Sequence, residues 1–146
     1  QFTMSHDDGK KLDDIVEADI VLLGVSRTSK TPTSMYLANR GYKTANIPLV
    51  MEQKIPEELK SKNNKICIIG LITDPERLAD VRRNRVTIMK ETSIKEYTDL
   101  NFIKEEIDKS KKLFKKYNWP TIDVTRKSVE ESAASILKIY EIQQSK

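Results

Sequence analysis

The sequence lacks the features that mark several classes of protein. It has a single cysteine, Cys67, so no disulfide can form within the chain. Cys67 stands inside the apolar run 66–69, which is typical of a buried strand where a thiol is an inert small side chain. No apolar run approaches the length of a membrane span, and no signal peptide opens the chain. We therefore expect a cytoplasmic protein without a membrane-spanning segment.

The excess of positive charge is not gathered in a tail of the sequence. The 26 lysines and arginines against 22 acidic residues leave a net charge of +4, spread along the chain. Because there is neither a basic stripe nor a set of interleaved aromatic residues, nucleic acid is not an expected partner. The lysine-rich stretch 109–116 is typical of a solvated helix face.

The length and the first residues bear on domain organisation. A chain of 146 residues without repeats suits one domain around one core. It begins at Gln1 rather than at a methionine. The run His6-Asp7-Asp8-Gly9, which contains an imidazole and two carboxylates, follows almost at once. We expect residues 1–18 to be a lead-in segment left from a longer N-terminal part and residues 19–146 to form the domain.

Strands and helices alternate along the sequence. Short apolar, β-branched runs predict strands at 18–24, 43–48, 65–73 and 121–124. Helical patterns follow at 31–40 and 75–84, and behind possible capping boxes at 93–96 and 128–131. This alternation predicts an α/β domain with a mainly parallel sheet and helices on both faces.

Two single residues are predicted to end or begin helices. Gly41 follows the first helix and fits a C-cap. Asp74 precedes Pro75 and fits the N-cap of the second helix. Asp74 also ends the third strand, where proteins with a phosphate-binding loop often place a carboxylate near Mg²⁺. The two roles seldom coincide on one side chain, and the cap is the interpretation we favour.

The segment from Gly24 to Thr31 fits the phosphate-binding loop template G-x-x-x-x-G-K-[S/T], except that Ser29 replaces the second glycine. A buried strand before it and a helix after it are the context that the template requires. Such a turn directs backbone N–H groups toward an anion at the positive end of the helix. Lys30 adds a point charge, and the Thr31 hydroxyl can ligate Mg²⁺. The candidate binding residues are Gly24, Val25, Ser26, Arg27, Thr28, Ser29, Lys30 and Thr31.

Alternative interpretations remain for this loop and for the acidic run near the start. The loop could be a strand–turn–helix corner that happens to contain lysine and threonine. Asp7 and Asp8 could hold a metal ion or accept a proton from an attacking hydroxyl, or they could form a polar turn with Gly9. His6, the single histidine, is better explained as a hydrogen-bonding partner than as a metal ligand.

Arginines are concentrated on or just beyond the second predicted helix. They are Arg77, Arg82, Arg83 and Arg85, and Arg82 and Arg85 share a helix face. Such arginines can clamp a second phosphate group, or they can form a solvated surface of salt bridges. The residue pattern does not choose between these roles.

Four segments together resemble a known family, the bifunctional regulatory proteins of pyruvate, phosphate dikinase and of phosphoenolpyruvate synthase. They read HDDG, ADIVLLGVSRTSKTPTSMYLANRGYKTANIPLV, GLITDPERLADVRRNR and IDVTRKSVEESAASIL. The likeness covers essentially the whole chain, and NRGYKTANIPLV and RRNR look closer to the dikinase branch. Family members are about twice this length, so the chain is similar to their C-terminal half. Some members carry glycine where Ser29 stands.

The resemblance implies two opposed reactions on one threonine of the partner enzyme. ADP, rather than ATP, phosphorylates the threonine and inactivates the partner, whose neighbouring catalytic histidine is phosphorylated at that time. Inorganic phosphate then removes the phosphoryl group and yields pyrophosphate. In the mechanism that follows, Lys30 and Arg27 act on the developing charge, Thr31 binds Mg²⁺, and Asp7 or Asp8 accepts the threonine proton.

Three other functions stay open on the sequence alone. The partner could be phosphoenolpyruvate synthase rather than the dikinase. The chain could instead be an ATP-dependent small-molecule kinase, because the order of elements also suits shikimate and nucleotide kinases. It could also be a phosphate or nucleotide sensor without catalysis, which would not need Asp7 or Asp8 as a base. A homo-oligomer stays open as well, because no residue pattern in the sequence specifies the oligomeric state.

Overall fold

The computed structural model describes residues 18–25, 28–49, 66–83 and 99–144. Four strands are present in these ranges: β1 (Ile20–Gly24), β2 (Thr44–Pro48), β3 (Cys67–Ile72) and β4 (Thr121–Asp123). Four helices accompany them: α1 (Lys30–Asn39), α2 (Pro75–Arg83), α3 (Leu100–Lys116) and α4 (Val129–Gln144). The predicted alternation of strands and helices is confirmed.

The four strands form one parallel sheet in the order β2-β1-β3-β4. β1 is central, and Leu22 pairs with Asn46 of β2 on one side and with Ile69 of β3 on the other. The chain therefore moves outward from β1 in both directions, which creates a switch point between neighbouring strands. In open parallel sheets, ligands bind in the crevice that such a switch point opens at the carboxyl ends of the strands.

Both faces of the sheet are covered, because successive residues of each strand point to opposite faces. Val21 and Leu23 of β1 belong to a buried cluster on one face that includes Phe114 of α3. On the other face, Ile20 and Leu22 pack in a cluster with side chains of α1 and α4. The second cluster contains Leu37, Cys67, Ile69, Leu71, Ile122, Ala133 and Ile136. The predicted α/β fold with helices on both faces is therefore confirmed.

Capping hydrogen bonds explain where α1 ends and where α2 begins. Asp74 caps α2, since its Oδ2 accepts a hydrogen bond from the Arg77 backbone N–H at 3.1 Å. Gly41 follows α1 with φ of 96°, and its N–H donates to the Ala38 carbonyl oxygen at 3.0 Å. The N–H of Tyr42 donates to the Leu37 carbonyl oxygen at 3.2 Å, which completes a Schellman motif. Both predicted caps are confirmed.

The capping boxes predicted for the last two helices have different outcomes. At α4 the Ser128 hydroxyl accepts from the Glu131 N–H at 3.1 Å, and the Glu131 carboxylate accepts from the Ser128 N–H at 3.2 Å. The box predicted at 93–96 lies outside the described residues. The long helix α3 begins later, at Leu100, because the Asp99 side chain accepts from the N–H groups of Asn101 and Phe102.

Two further sequence predictions concern burial. Cys67 is fully buried, and burial raises the pKa of its thiol from 9.0 to about 11, so the neutral thiol is the form present near neutral pH. The lysines at 109, 111, 112, 115 and 116 lie on the exposed side of α3, as expected of a solvated face. Among the described helices, none is both long enough and apolar enough to cross a membrane.

Gly70 on β3 provides a test of how tightly α3 packs on the sheet. A Cβ atom at Gly70 would lie 2.4 Å from the Phe114 ring, a distance that real contacts do not reach. We therefore expect Gly70→Ala to lower the free energy of unfolding by about 2 kcal/mol, as overpacked core substitutions do. Urea unfolding of the single variant, of Phe114→Leu and of the double variant measures the effect.

The double variant should recover part of the loss, because leucine at 114 leaves room for the added methyl group. Gly41→Ala is the matched control. A Cβ there meets nothing within 4 Å, but φ of 96° strains alanine, so its loss should be independent of residue 114. Equal, additive effects of Phe114→Leu in the two glycine backgrounds would contradict the proposed contact.

Candidate functional site

The loop that joins β1 to α1 lies at the carboxyl edge of the sheet, beside the switch point. β1 ends at Gly24 and α1 begins at Lys30, so the turn occupies residues 25–29. Ser26 and Arg27 lie outside the described residues. The remaining candidate residues of the loop are brought together by the fold, in the strand–loop–helix arrangement that the sequence predicts.

Gly24 is required by the close return of the chain. A Cβ atom at Gly24 would lie 2.7 Å from the Thr28 Oγ1 and 3.1 Å from the Leu71 carbonyl oxygen. The Gly24 carbonyl oxygen accepts a hydrogen bond from the Leu49 N–H at 2.9 Å. The turn therefore folds back over the end of β1 in a space that only glycine leaves open.

The Lys30 side chain lies inside the turn and is only 4% exposed. Its Nζ donates to the Val25 carbonyl oxygen at 2.8 Å and lies 3.5 Å from the Thr28 Oγ1. Thr28, itself buried, donates its hydroxyl to the same carbonyl oxygen at 2.8 Å. A buried ammonium needs hydrogen-bond acceptors around it, and the loop supplies them. The positive charge is thus held beside the Val25 carbonyl oxygen and the Thr28 hydroxyl.

Ser29 occupies the position where the loop template has glycine. Its φ of 63° and ψ of 27° place it in the left-handed region, which a residue with a Cβ adopts only at a cost. Ser29 is the N-cap of α1, yet its side chain makes no capping hydrogen bond. The backbone here therefore has the conformation that suits glycine, and the side chain of Ser29 is exposed.

Thr31 follows Lys30 in the first turn of α1, and its side chain is exposed. The Thr31 carbonyl oxygen accepts a hydrogen bond from the Ser34 hydroxyl at 3.0 Å, and Ser34 accepts from the Asn46 amide of β2 at 3.1 Å. Sequence reasoning missed Ser34 and Asn46. No local motif marks them, because their contact joins residues that are 12 positions apart.

The carboxyl ends of β3 and β4 place hydroxyl and carboxylate groups at the same edge of the sheet. The Thr125 Oγ1 accepts from the Asp74 N–H at 2.8 Å and lies 3.2 Å from the Thr73 Oγ1. One Asp74 oxygen caps α2, as described above, which agrees with the favoured role of this residue. Within the described ranges, no group of three or more His, Cys, Asp or Glu side chains is arranged to hold a metal ion.

Asp123, at the end of β4, has a lowered pKa. Burial by itself raises the pKa of this carboxyl. Hydrogen bonds from Thr125 and the charges of Lys127 and Lys111 lower it by more, so that the pKa lies below its ordinary value of 3.8. The Asp123 carboxylate is therefore ionised and already engaged with Thr125, whose N–H donates to it at 2.9 Å.

The arginines of α2 have separate surroundings. Arg82 is 1% exposed and forms a two-pronged ion pair with Glu106 of α3, at 2.7 and 3.3 Å. This contact fixes α2 against α3, so Arg82 acts in packing rather than as a solvated surface group. Arg83 pairs with Asp80 on the exposed side of the helix at 3.0 Å. Arg77 is exposed, and Arg85 lies outside the described residues.

The acidic run near the start also lies outside the described residues. His6, Asp7 and Asp8 precede the first described residue, Ala18. Their predicted roles as base, metal ligand or turn therefore stay predictions.

Comparison with known proteins extends these observations. A sequence model of the kinase/pyrophosphorylase family matches residues 1–137. A pyruvate, phosphate dikinase regulatory protein, so named, from Pelagibacter ubique is 64% identical over 142 residues, which are 97% of this chain and 52% of that protein. The proteins of the same name from Erythrobacter litoralis and Paramagnetospirillum magneticum are 51% and 47% identical. They are covered over 50% and 45% of their own lengths and match 96% and 97% of this chain. The chain thus spans about half the length of these relatives.

The left-handed conformation of Ser29 predicts that glycine suits this position better. We expect Ser29→Gly to raise the free energy of unfolding by about 0.5 kcal/mol. Relief of the left-handed strain, about 1–2 kcal/mol, is partly offset by the greater freedom of glycine in the unfolded chain. Ser29→Ala keeps the Cβ and should bring no gain. Urea unfolding checks both variants, and an equal gain from alanine would show that the hydroxyl rather than the backbone is the cause.

Proposed function

Because the chain belongs to the kinase/pyrophosphorylase family, we propose that it regulates pyruvate, phosphate dikinase through two opposed phosphoryl transfers. In one, ADP phosphorylates a threonine of the dikinase and inactivates it. In the other, inorganic phosphate removes that phosphoryl group and releases pyrophosphate. The relatives named as dikinase regulatory proteins, with identities of 47–64% over nearly all of this chain, support the choice of partner.

The observation that carries this proposal is the buried Lys30 ammonium inside the turn after β1. A cation in that place, at the start of a helix and beside the switch point of the sheet, suits the oxygens of a diphosphate. ADP and pyrophosphate share that diphosphate, with or without adenosine. One loop can therefore serve the donor of the first reaction and the product of the second.

In the kinase direction, the threonine hydroxyl of the partner attacks the β-phosphorus of ADP. The bond between that phosphorus and the bridging oxygen breaks, AMP leaves, and the hydroxyl proton goes to a base. We assign the base to Asp7 or Asp8, and the stabilisation of developing negative charge to Lys30 and Arg27. Residues 24–31 bind the phosphate oxygens, with Thr28 holding the turn around Lys30.

In the phosphorylase direction, an oxygen of inorganic phosphate attacks the phosphorus of the phosphothreonine. The bond to the threonine oxygen breaks, that oxygen takes the proton that the attacking hydrogen phosphate gives up, and pyrophosphate leaves. Phosphate is already an anion, so this attack needs no strong base. The contribution of the chain is again to hold phosphate oxygens and to offset charge, through Lys30 and the N-terminus of α1.

Mg²⁺ fits the donor chemistry of this edge of the sheet. Magnesium prefers oxygen ligands and keeps several waters, and the exposed Thr31 side chain offers a hydroxyl at the start of α1. In this proposal Thr31 holds the ion. When bound, Mg²⁺ offsets the charge of the phosphate oxygens.

The test is a transfer assay on histidine-phosphorylated pyruvate, phosphate dikinase. The 146-residue chain and the full-length Pelagibacter ubique relative are each incubated with ADP labelled on its β-phosphate or with ATP labelled on its γ-phosphate. We expect label on a dikinase threonine from ADP alone, and its release as pyrophosphate when phosphate is added. Transfer by the relative but not by the chain would place an essential part in the other half. Transfer from neither, or from ATP only, would contradict the proposal.

Lys30→Met tests the role of the loop in the same assay, on whichever protein is active. Methionine keeps most of the buried stem but removes the charge, so transfer should fall by about a hundredfold or more. Lys43→Met is the matched control, because Lys43 is exposed at the opposite, amino-terminal end of β2. Equal activity of the two variants would show that the loop does not act in transfer.

A further inference from the structure

A buried amide on β2 is connected to the first turn of α1. Asn46 is fully buried, and its Nδ2 donates to the Ser34 hydroxyl at 3.1 Å. Ser34, also fully buried, donates in turn to the Thr31 carbonyl oxygen at 3.0 Å. These groups form one hydrogen-bonded series, the Asn46–Ser34–Thr31 chain, which runs from the middle of β2 to the residue after Lys30.

An amide in this place needs an explanation beyond packing. Asn46 stands in the middle of a strand, pairs with Leu22 of the central strand, and lies between Ala45 and Ile47, which are buried in the apolar core. Asparagine is disfavoured in strands, and a buried amide is costly unless its hydrogen bonds are made. An apolar side chain would fill the strand more favourably, so the contribution of Asn46 lies in what it holds.

The N-terminus of α1 differs from those of the other described helices. Side chains cap α2, α3 and α4 through Asp74, Asp99 and Ser128. Ser29, at the start of α1, makes no such bond. A side-chain cap fixes the first turn, but it accepts hydrogen bonds from N–H groups that would otherwise donate to a bound anion. The Asn46–Ser34–Thr31 chain reaches the same turn through a carbonyl group instead, so it restrains the turn without using those donors.

We propose that Asn46 is a positioning residue for the loop. Acting through Ser34, it fixes the rotation of the first turn of α1 and thereby the direction of the helix N–H groups and the place of Lys30. The effect of Asn46 on ligand binding rests on the proposed function, in which this turn holds the diphosphate of ADP or pyrophosphate. The effect of Asn46 on the order of the turn does not depend on that function.

Four variants of the chain and two measurements test the proposal. Asn46→Leu keeps the shape but removes the amide, Ser34→Ala removes the next link, and a double variant combines them. Thr44→Val is the matched control. Thr44 is a fully buried residue on the same face of β2, but it pairs with Ile20 at the amino end of β1, away from the loop. The measurements are amide hydrogen exchange at residues 33–35 without ligand, and the affinity for inorganic pyrophosphate by calorimetry.

We expect exchange at 33–35 to become about tenfold faster, and pyrophosphate binding about tenfold weaker, in both single variants. The double variant should be no worse than the more affected single one, because both substitutions break the same series. Thr44→Val should leave both quantities unchanged, whatever it does to thermal stability.

Three results separate failure of this inference from failure of the proposed function. Folded Asn46→Leu and Ser34→Ala variants with unchanged exchange and unchanged affinity would overturn the positioning role. Faster exchange in the control to the same degree would also overturn it, by showing a general loss of stability. If the unaltered chain does not bind pyrophosphate, the proposed function fails, and the exchange measurement still decides whether Asn46 fixes the turn.

Discussion

The Lys30 ammonium lies 2.8 Å from the Val25 carbonyl oxygen inside the turn after β1, and the proposed phosphate site is built on this contact. A charge that is only 4% exposed must be compensated where it lies. The turn closes around it because Gly24 permits the return of the chain and Thr28 donates to the same carbonyl oxygen. Thr28 and Lys30 are therefore held around this carbonyl oxygen before any anion arrives, which reduces the ordering cost of binding.

The sheet places this loop where a ligand can use it. β1 lies between β2 and β3, so its carboxyl end opens onto the switch point of the strand order. The same edge receives Thr73 and Asp74 from β3 and Asp123 from β4. Helices cover the two faces of the sheet, and the ion pair of Arg82 with Glu106 holds α2 against α3. The faces of the sheet are thus packed against helices, and the polar side chains are gathered at the carboxyl ends of the strands.

Much of this arrangement could be predicted because its signals are local. The apolar runs around Leu22 and Ile69 have few alternatives to buried strands. In Asp74-Pro75 and in Ser128-Val129-Glu130-Glu131, the capping residue lies within one helical turn of the N–H group from which it accepts a hydrogen bond. The loop template was also readable, including the departure at Ser29, whose left-handed backbone fits the missing glycine.

What could not be predicted depends on contacts between distant residues. Arg82 was open to a phosphate-binding role until its pairing with Glu106, 24 positions away, placed it in packing. Asn46 looks like an irregularity in a strand until Ser34 is beside it. The cap of α3 at Asp99 was not singled out in the sequence, and the capping box predicted at 93–96 lies outside the described residues. The order of the strands in the sheet likewise depends on the connections between strands, and no single segment of the sequence predicts it.

A titration of the isotopically labelled chain with inorganic pyrophosphate, followed by its backbone amide resonances, tests directly whether this loop binds phosphate. We predict that the largest shifts fall on residues 24–31, saturate together, and disappear in Lys30→Met. Shifts that centre elsewhere, or that persist without the Lys30 ammonium, would contradict the claim that this loop is the phosphate site.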